Sequence, residues 1–187
     1  MSDPYICSWR GGPILAASIR KLIHNPKRII GPYLSAGMTA MDIGSGMGFF
    51  TITMSDIVGK QGKVIAVDLQ KEMLAGLKTR ASKAGCENIL YQQCDSNSLK
   101  IRQWEGKVDF ALVFMMLHEA PDPDRMIREI NEALTPGGLL LFSEPVVHVD
   151  NKKFQNSRAA IEQSGFTCIS SPRIAICRSA VFQKNND

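Results

Sequence analysis

No apolar run in the chain approaches the ~20 residues that a membrane-spanning helix needs. The first residues, Met-Ser-Asp-Pro-Tyr-Ile-Cys, lack the basic and then apolar order of a secretory leader. Both absences lead to the expectation of a cytoplasmic protein. Cysteine is sparse and odd in number: Cys7, Cys86, Cys94, Cys168 and Cys177 show no Cys-x-x-Cys spacing. A disulfide framework or a zinc ribbon is therefore excluded in favour of reduced thiols. Internal repeats and low-complexity segments are missing as well. What remains is an ordinary globular balance, 44% hydrophobic and 21% charged over 187 residues, enough for one domain with a substantial core. The formal net charge of +4 is unevenly placed. Residues 1–41 carry Arg10, Arg20, Lys21, Lys27 and Arg28 against Asp3 alone, and the rest of the chain balances. Such a basic arm suits an anionic substrate, a nucleic acid or an anionic membrane surface, or is a plain solvated helix face.

The hydrophobic periods alternate. Ile14, Leu15, Ile19, Leu22 and Ile23 share one helical face, and Asn25-Pro26 then reads as N-cap and first-turn proline of a second short helix that Gly31-Pro32 interrupts. From residue 38 strands and helices take turns. Strands are expected at Met38–Ile43, Lys63–Val67, Asn88–Gln93, Val108–Met115, Leu139–Phe142, Phe166–Ile174 and Cys177–Phe182. Helices are expected at Gly48–Val58, Lys71–Ala84, from Asp122-Pro123 to the stop at Thr135-Pro-Gly-Gly138, and at Lys152–Ser164. Repeated βα units imply a mostly parallel sheet covered on both faces. The last connection is too short for a helical crossover, so the final strand should run antiparallel. The expected fold is α/β: one doubly wound Rossmann-like domain with a seven-stranded, mostly parallel sheet (residues 36–187), preceded by a basic helical arm (residues 1–35).

The chemistry concentrates at Asp42-Ile-Gly-Ser-Gly-Met-Gly48. An apolar strand ends in an acid, and glycines at 44, 46 and 48 let a ligand lie against the main chain. The spacing differs from the G-x-G-x-x-G that offers helix N–H groups to a pyrophosphate. Asp42 favours a cationic or amine-bearing ligand. Asp68 ends the second strand ~20 residues on, where an acid accepts hydrogen bonds from a ribose diol or caps the next helix.

This loop resembles motif I of the class I S-adenosylmethionine-dependent methyltransferases, and further matches follow in order. Val64-Ile-Ala-Val-Asp-Leu69 resembles that family's second strand, and Cys94-Asp95-Ser96 its acidic position beside the adenine. Phe110–His118, continuing to Pro121-Asp122, resembles its fourth-strand motif. Leu134-Thr-Pro-Gly-Gly-Leu-Leu-Leu-Phe142 is similar to its turn into the fifth strand. The likeness spans residues 36–183 and is strongest to the small-molecule group that includes ubiquinone and menaquinone biosynthesis enzymes. It implies S-adenosylmethionine as cofactor, leaving S-adenosylhomocysteine. The implied contacts are Asp42, Gly44, Ser45, Gly46, Gly48 and Phe49 in the loop, and Asp68 at the ribose. Leu69 and Met73 would sandwich the adenine, with Asp95 and Ser96 at its edge, and the backbone of Phe114 and Met115 would hold the methionine amine. His118 and Glu119 sit beyond the fourth strand as candidate catalytic groups, His118 as a general base; Glu144 also faces the expected pocket. The acceptor implied is a small molecule and no metal is called for. Arsenite methyltransferases hold arsenic with several thiols, and only Cys94 lies near this site in sequence.

Rival readings are weaker. A nicotinamide dehydrogenase is disfavoured by the glycine spacing and by the lack of a Tyr-x-x-x-Lys pair. An RNA methyltransferase is permitted by the basic arm, but Phe114-Met-Met-Leu117 stands where amino-group methylators of nucleic acids carry Asn-Pro-Pro-Tyr. A non-catalytic S-adenosylmethionine-binding protein would carry the same cofactor motifs.

Overall fold

The computed structural model describes residues 23–186; most of the expected arm helix at 14–23, with Arg10, Arg20, Lys21 and Cys7, lies outside them. Asn25 caps the first described helix, α1 (Pro26–Ile30), its side chain accepting from the Arg28 N–H at 3.2 Å. A 3-10 turn (Gly31–Tyr33) follows, so Gly31-Pro32 tightens the helix instead of simply breaking it. Ile30 and Leu34 are buried in one core cluster with Ala40, Val64 and Phe110, which ties this part of the arm to the domain.

Seven strands form one sheet: β1 (Thr39–Ile43), β2 (Lys63–Asp68), β3 (Ile89–Gln93), β4 (Val108–Phe114), β5 (Leu134–Pro145), β6 (Phe166–Ser170) and β7 (Cys177–Lys184). Their order is β3-β2-β1-β4-β5-β7-β6, with β7 antiparallel to both neighbours and the other pairings parallel. Alternation along the strands divides the core into two layers. Ala40, Val64, Ala66, Phe110 and Leu112 pack under α1, α2 (Thr51–Val58) and α3 (Lys71–Lys83). Met41, Ile43, Ile65, Val67 and Val113 pack under α4 (Pro123–Ala133) and α5 (Asn151–Gln163). Strands buried on both faces explain the near-continuous apolar runs.

Three boundaries depart most from expectation. The strand expected at Phe166–Ile174 ends at Ser170. The helix expected from Gly48 starts at Thr51, because Gly48 has φ +83° and cannot enter an α-helix. Thr135-Pro-Gly-Gly138 does not separate helix from strand: β5 already pairs with Val108 at Leu134, and the register shifts before Phe110 meets Leu139. The extra residues are absorbed as an irregularity in the ladder. Lys184 closes the α4 end by donating its ammonium to the carbonyls of Asn131 (2.7 Å) and Leu134 (2.9 Å). No helix of the described residues is long and apolar enough to cross a membrane.

Candidate active site

The chain runs outward from β1 through β2 to β3, then returns to place β4 on the other side of β1. A crevice opens at the carboxyl ends of strands where the order reverses. Here it is a cavity of about 490 Å³, lined by the ends of β1, β2 and β4 and by the loops after β3, β4 and β5. That volume lies in the range of small-molecule sites.

The glycine loop forms one wall. Gly44 and Ser45 both donate their N–H to the Val67 carbonyl, at 2.9 and 3.0 Å. Arg80 of α3 donates to the Met47 carbonyl, pinning the loop from the helix side. Asp42 is buried at the cavity wall and accepts the Thr51 hydroxyl at 2.5 Å. Asp68 accepts the Gly46 N–H on Oδ2 (2.7 Å) and the Gln70 N–H on Oδ1 (2.9 Å). Burial raises the Asp68 carboxyl above its ordinary range, against the lowering effect of its backbone donors. Two backbone donors leave a carboxylate with further acceptor sites. The Ser45 hydroxyl is buried without a hydrogen-bond partner, an unusual condition for a polar group. A loop with an unpaired hydroxyl, beside an incompletely solvated carboxylate, fits a ligand that brings hydrogen-bond donors and acceptors, as a ribose does.

Most of the expected site residues line this cavity: Asp42, Gly44, Ser45, Gly46, Phe49, Asp68, Leu69, Met73, Asp95, Ser96, Phe114, Met115, His118 and Glu119. Gly48 does not. A Cβ there would lie 2.1 Å from the Leu77 Cδ1 of α3, so this glycine serves close helix–loop packing, not the ligand wall. Asp95 lines the cavity, yet its carboxylate is occupied by its own turn. Oδ1 accepts the N–H groups of Asn97 and Ser98 (both 2.9 Å), and Oδ2 pairs with Lys100 at 2.9 Å. The Lys100 ammonium holds this carboxyl below its ordinary range, with the Asn97 N–H adding to it. Glu129 of α4 clamps the same loop through the Leu99 N–H at 2.7 Å. Met115, the residue directly after β4, has φ +58°, a left-handed backbone uncommon for a side-chain-bearing residue, held by its N–H to the Ser143 carbonyl at 2.7 Å. Strain of this kind concentrates at binding sites.

Beyond Met115, His118 is fastened at two points to Glu144, which is 1% exposed at the end of β5. Glu144 Oε1 accepts the His118 backbone N–H at 3.1 Å, and Oε2 lies 2.5 Å from Nδ1. Glu144 thus stands behind His118 instead of facing the pocket. The hydrogen bond to Glu144 raises the imidazole above its ordinary range; burial opposes it, and the charges of Glu144 and Glu119 add to it. His148, unmarked in the sequence reading, lines the cavity and stacks on His118, ring centroids 5.8 Å apart at 10°. Arg178 of β7 holds that loop by donating to the Val149 carbonyl at 2.7 Å.

Among the described cysteines, Cys94 alone lines the cavity. Burial, with the nearby Asp68 charge, pushes its thiol up to about 11, far from the thiolate that binds soft elements. No group of three or more potential metal ligands occurs among the described residues.

Known proteins agree with this architecture. Residues 34–181 match the methyltransferase domain family. The chain is 30% identical over 131 residues to an arsenite methyltransferase of Aquipseudomonas alcaligenes, covering 66% of this chain and 37% of that protein. It is 30% identical over 122 residues to the ubiquinone/menaquinone biosynthesis C-methyltransferase UbiE of Shewanella oneidensis, covering 63% and 48%. It thus spans half or less of these relatives' length. A solved S-adenosylmethionine-dependent methyltransferase of Aquifex aeolicus superposes with a TM-score of 0.86 at 21% identity, over 96% of this chain and all of that one. Fold, loop geometry and family match converge, and the chain belongs to the class I S-adenosylmethionine-dependent methyltransferases.

Proposed function

We propose that this protein transfers a methyl group from S-adenosylmethionine to a small-molecule acceptor by in-line displacement. The observation that carries the reading is Asp68: a buried carboxylate at the end of β2, braced by Gly46 and Gln70, facing the cavity beside an unpaired Ser45 hydroxyl. In this reading Asp68 accepts the ribose diol, and Ser45 with the N–H-bearing loop Gly44–Gly46 lies along the cofactor. Asp42, oriented by Thr51, balances its positive end. Leu69 and Met73 flank the adenine, with Ser96 and the Asp95 turn at its edge. Phe49 and the backbone of Phe114 and Met115 close the methionine side.

When bound, S-adenosylmethionine supplies an electrophilic methyl carbon: an acceptor lone pair bonds to it as the carbon–sulfur pair passes to sulfur. The protein's share is positioning, which can supply ~7–11 kcal/mol of barrier lowering without any protein nucleophile. His118, with Glu119 near it, belongs to the acceptor end of the cavity. His24 donates its Nε2–H to the Ala175 carbonyl (2.8 Å) and packs edge-on to Phe114, centroids 5.3 Å apart. It brings the end of the basic arm to the cavity wall, which supports a role for residues 1–35 in covering the site and selecting the acceptor.

Calorimetric titration with S-adenosylhomocysteine and with NAD tests this. Micromolar binding of the adenosyl ligand is expected, with NAD at least tenfold weaker. Asp68→Ala removes hydrogen bonds to a charged acceptor worth ~1.5–3 kcal/mol each, so affinity should fall ~10- to 100-fold or more. A folded wild-type protein that ignores S-adenosylhomocysteine overturns the proposal.

A further inference from the structure

We propose that His118 and Glu144 form a proton-accepting pair for an acceptor whose nucleophilic atom carries an ionisable hydrogen, a phenol, enol or thiol. This rests on the methyl-transfer reading of the same cavity. His118 is the catalytic residue, and Glu144 is a positioning residue that never meets the acceptor.

The geometry is that of a held base. Glu144 is almost fully buried, and a buried carboxylate needs a partner. Opposite it in the β5–β7 ladder stands Arg178, but that guanidinium is spent on the carbonyls of Val146 and Val149. The carboxylate turns to His118 with both oxygens. Attachment at the backbone N–H and at Nδ1 leaves the ring little freedom to rotate. Nδ1 faces a carboxylate, so Nδ1 carries the hydrogen and the lone pair of the neutral ring sits on Nε2. Nε2 lies on the opposite edge of a ring that lines the cavity, 4.0 Å from Glu119 Oε1, which is beyond hydrogen-bond distance. His148 stacks on one face of the ring and fixes its plane. The groups facing the imidazole are thus Glu144 from β5, Glu119 from its own turn, His148 from the loop after β5, and Lys153 from α5, whose charge acts against protonation.

The step balances. The acceptor's X–H bond breaks, its hydrogen passes as a proton to Nε2, and its bonding pair stays on X as the nucleophilic pair. An N–H bond forms, and the imidazolium lies against the Glu144 carboxylate, taking the pair from net −1 to neutral. The proton then leaves to water. No oxidant or reductant takes part. A tertiary amine or a thioether has no such hydrogen, and the pair would have nothing to accept from it. The inferred acceptor class is therefore protic.

The test uses the full chain saturated with S-adenosylhomocysteine and isotope-labelled in histidine. His118→Gln assigns the His118 signals in NMR. The neutral ring should show hydrogen on Nδ1 in wild type. The His118 midpoint should lie above the ordinary 6.5. Glu144→Gln should move it downward, because the hydrogen bond and the charge that raise it are lost, and Glu144→Asp should restore part of the shift. An unchanged midpoint in Glu144→Gln, or hydrogen on Nε2, overturns the pair. In a second arm, S-adenosylmethionine and a panel of phenols, thiols, thioethers and tertiary amines are offered as acceptors. Turnover should be confined to protic members. With any such acceptor His118→Gln should lower kcat/KM ~100-fold or more, and Glu144→Gln should move the acid limb of its pH profile downward. Turnover of thioethers or tertiary amines alone, or a His118→Gln effect under threefold, overturns the proposal. Adenosyl-ligand affinity of the His118 and Glu144 variants should match wild type, so a failure to bind that ligand at all marks failure of the methyl-transfer reading, whereas the NMR arm judges the pair.

Discussion

Alanine at Gly48 and alanine at Gly46 should fail in different ways, although both glycines belong to one motif. Gly48 sits at φ +83°, and its added Cβ would meet the Leu77 Cδ1 at 2.1 Å and Cγ at 3.3 Å. A left-handed backbone costs a side-chain-bearing residue ~1–2 kcal/mol. Leu77 is fully buried, so forcing it aside adds an overpacking cost of ~1–3 kcal/mol. Gly48→Ala should therefore destabilise by ~2–5 kcal/mol. Leu77→Ala alone should cost ~2–5 kcal/mol as a cavity. The double variant removes the clashing atoms, so its loss should fall short of the sum of the singles by ~1–3 kcal/mol. Gly46 has φ +53° and no heavy atom within 4 Å of a built Cβ, and it lines the cavity. Gly46→Ala should cost only ~1–2 kcal/mol in stability, yet weaken S-adenosylhomocysteine binding tenfold or more. Urea midpoints at constant m-value give the stabilities, and calorimetry on the folded fraction gives the affinities. Additivity of Gly48→Ala and Leu77→Ala within ~0.5 kcal/mol would refute the packing argument. So would a stable Gly48→Ala protein that has lost the adenosyl ligand.

Two further outcomes follow from protonation. The folded-state His118 is raised above its ordinary 6.5, so the folded chain binds more protons than the unfolded chain between that value and the raised one, and stability falls as pH rises. The destabilisation caused by His118→Gln should therefore be largest below about pH 6.5 and shrink as pH passes the raised midpoint; a gap that is constant from acid to alkaline pH in urea melts contradicts the His118–Glu144 contact. Cys94, its thiol pushed up to about 11, should alkylate slowly at neutral pH and ~tenfold faster per pH unit through alkaline pH, because only the thiolate reacts. Mass spectrometry of iodoacetamide-treated protein reads this peptide by peptide, and rapid labelling of Cys94 at pH 7 would overturn it.

The parts of the site that were legible are those whose chemistry is local. Asp42, the glycine turn and Asp68 sit at strand ends, where apolar runs stop in an acid, and the alternation of strand and helix sets those ends side by side without long-range information. Asn25 is read as a cap and Asp122-Pro123 as a helix start for the same reason, and the structure gives the Asn25 and Asp122 side chains each a backbone N–H three residues on. Where two local demands call for the same residue type, sequence cannot separate them. Gly48 has the positive φ of a ligand-binding loop, but a leucine 29 residues away decides its role. Asp95 is equally a turn former and a ligand acceptor, and Lys100 with the Asn97 and Ser98 N–H groups decides how its carboxylate is spent.

His118 and Glu144 mark the deeper limit. Each was visible at the carboxyl end of its own strand, and the relation between them was not. That relation depends on β4 and β5 being parallel neighbours in a register that pairs Phe114 with Ser143, which sets Glu144 beneath the turn after β4. It depends as well on Arg178 being drawn off to the Val146–Val149 loop, which leaves the carboxylate to the imidazole and carries His148 over its face. A strand-end glutamate reads as a pocket-facing acid until the cross-strand register is known. Once it is, the same residue becomes the buried anion that holds the His118 imidazole, and under our proposal the chemistry of the acceptor changes with it: a cavity that only presses reactants together accepts any nucleophile, whereas one with a held base favours those that must lose a proton.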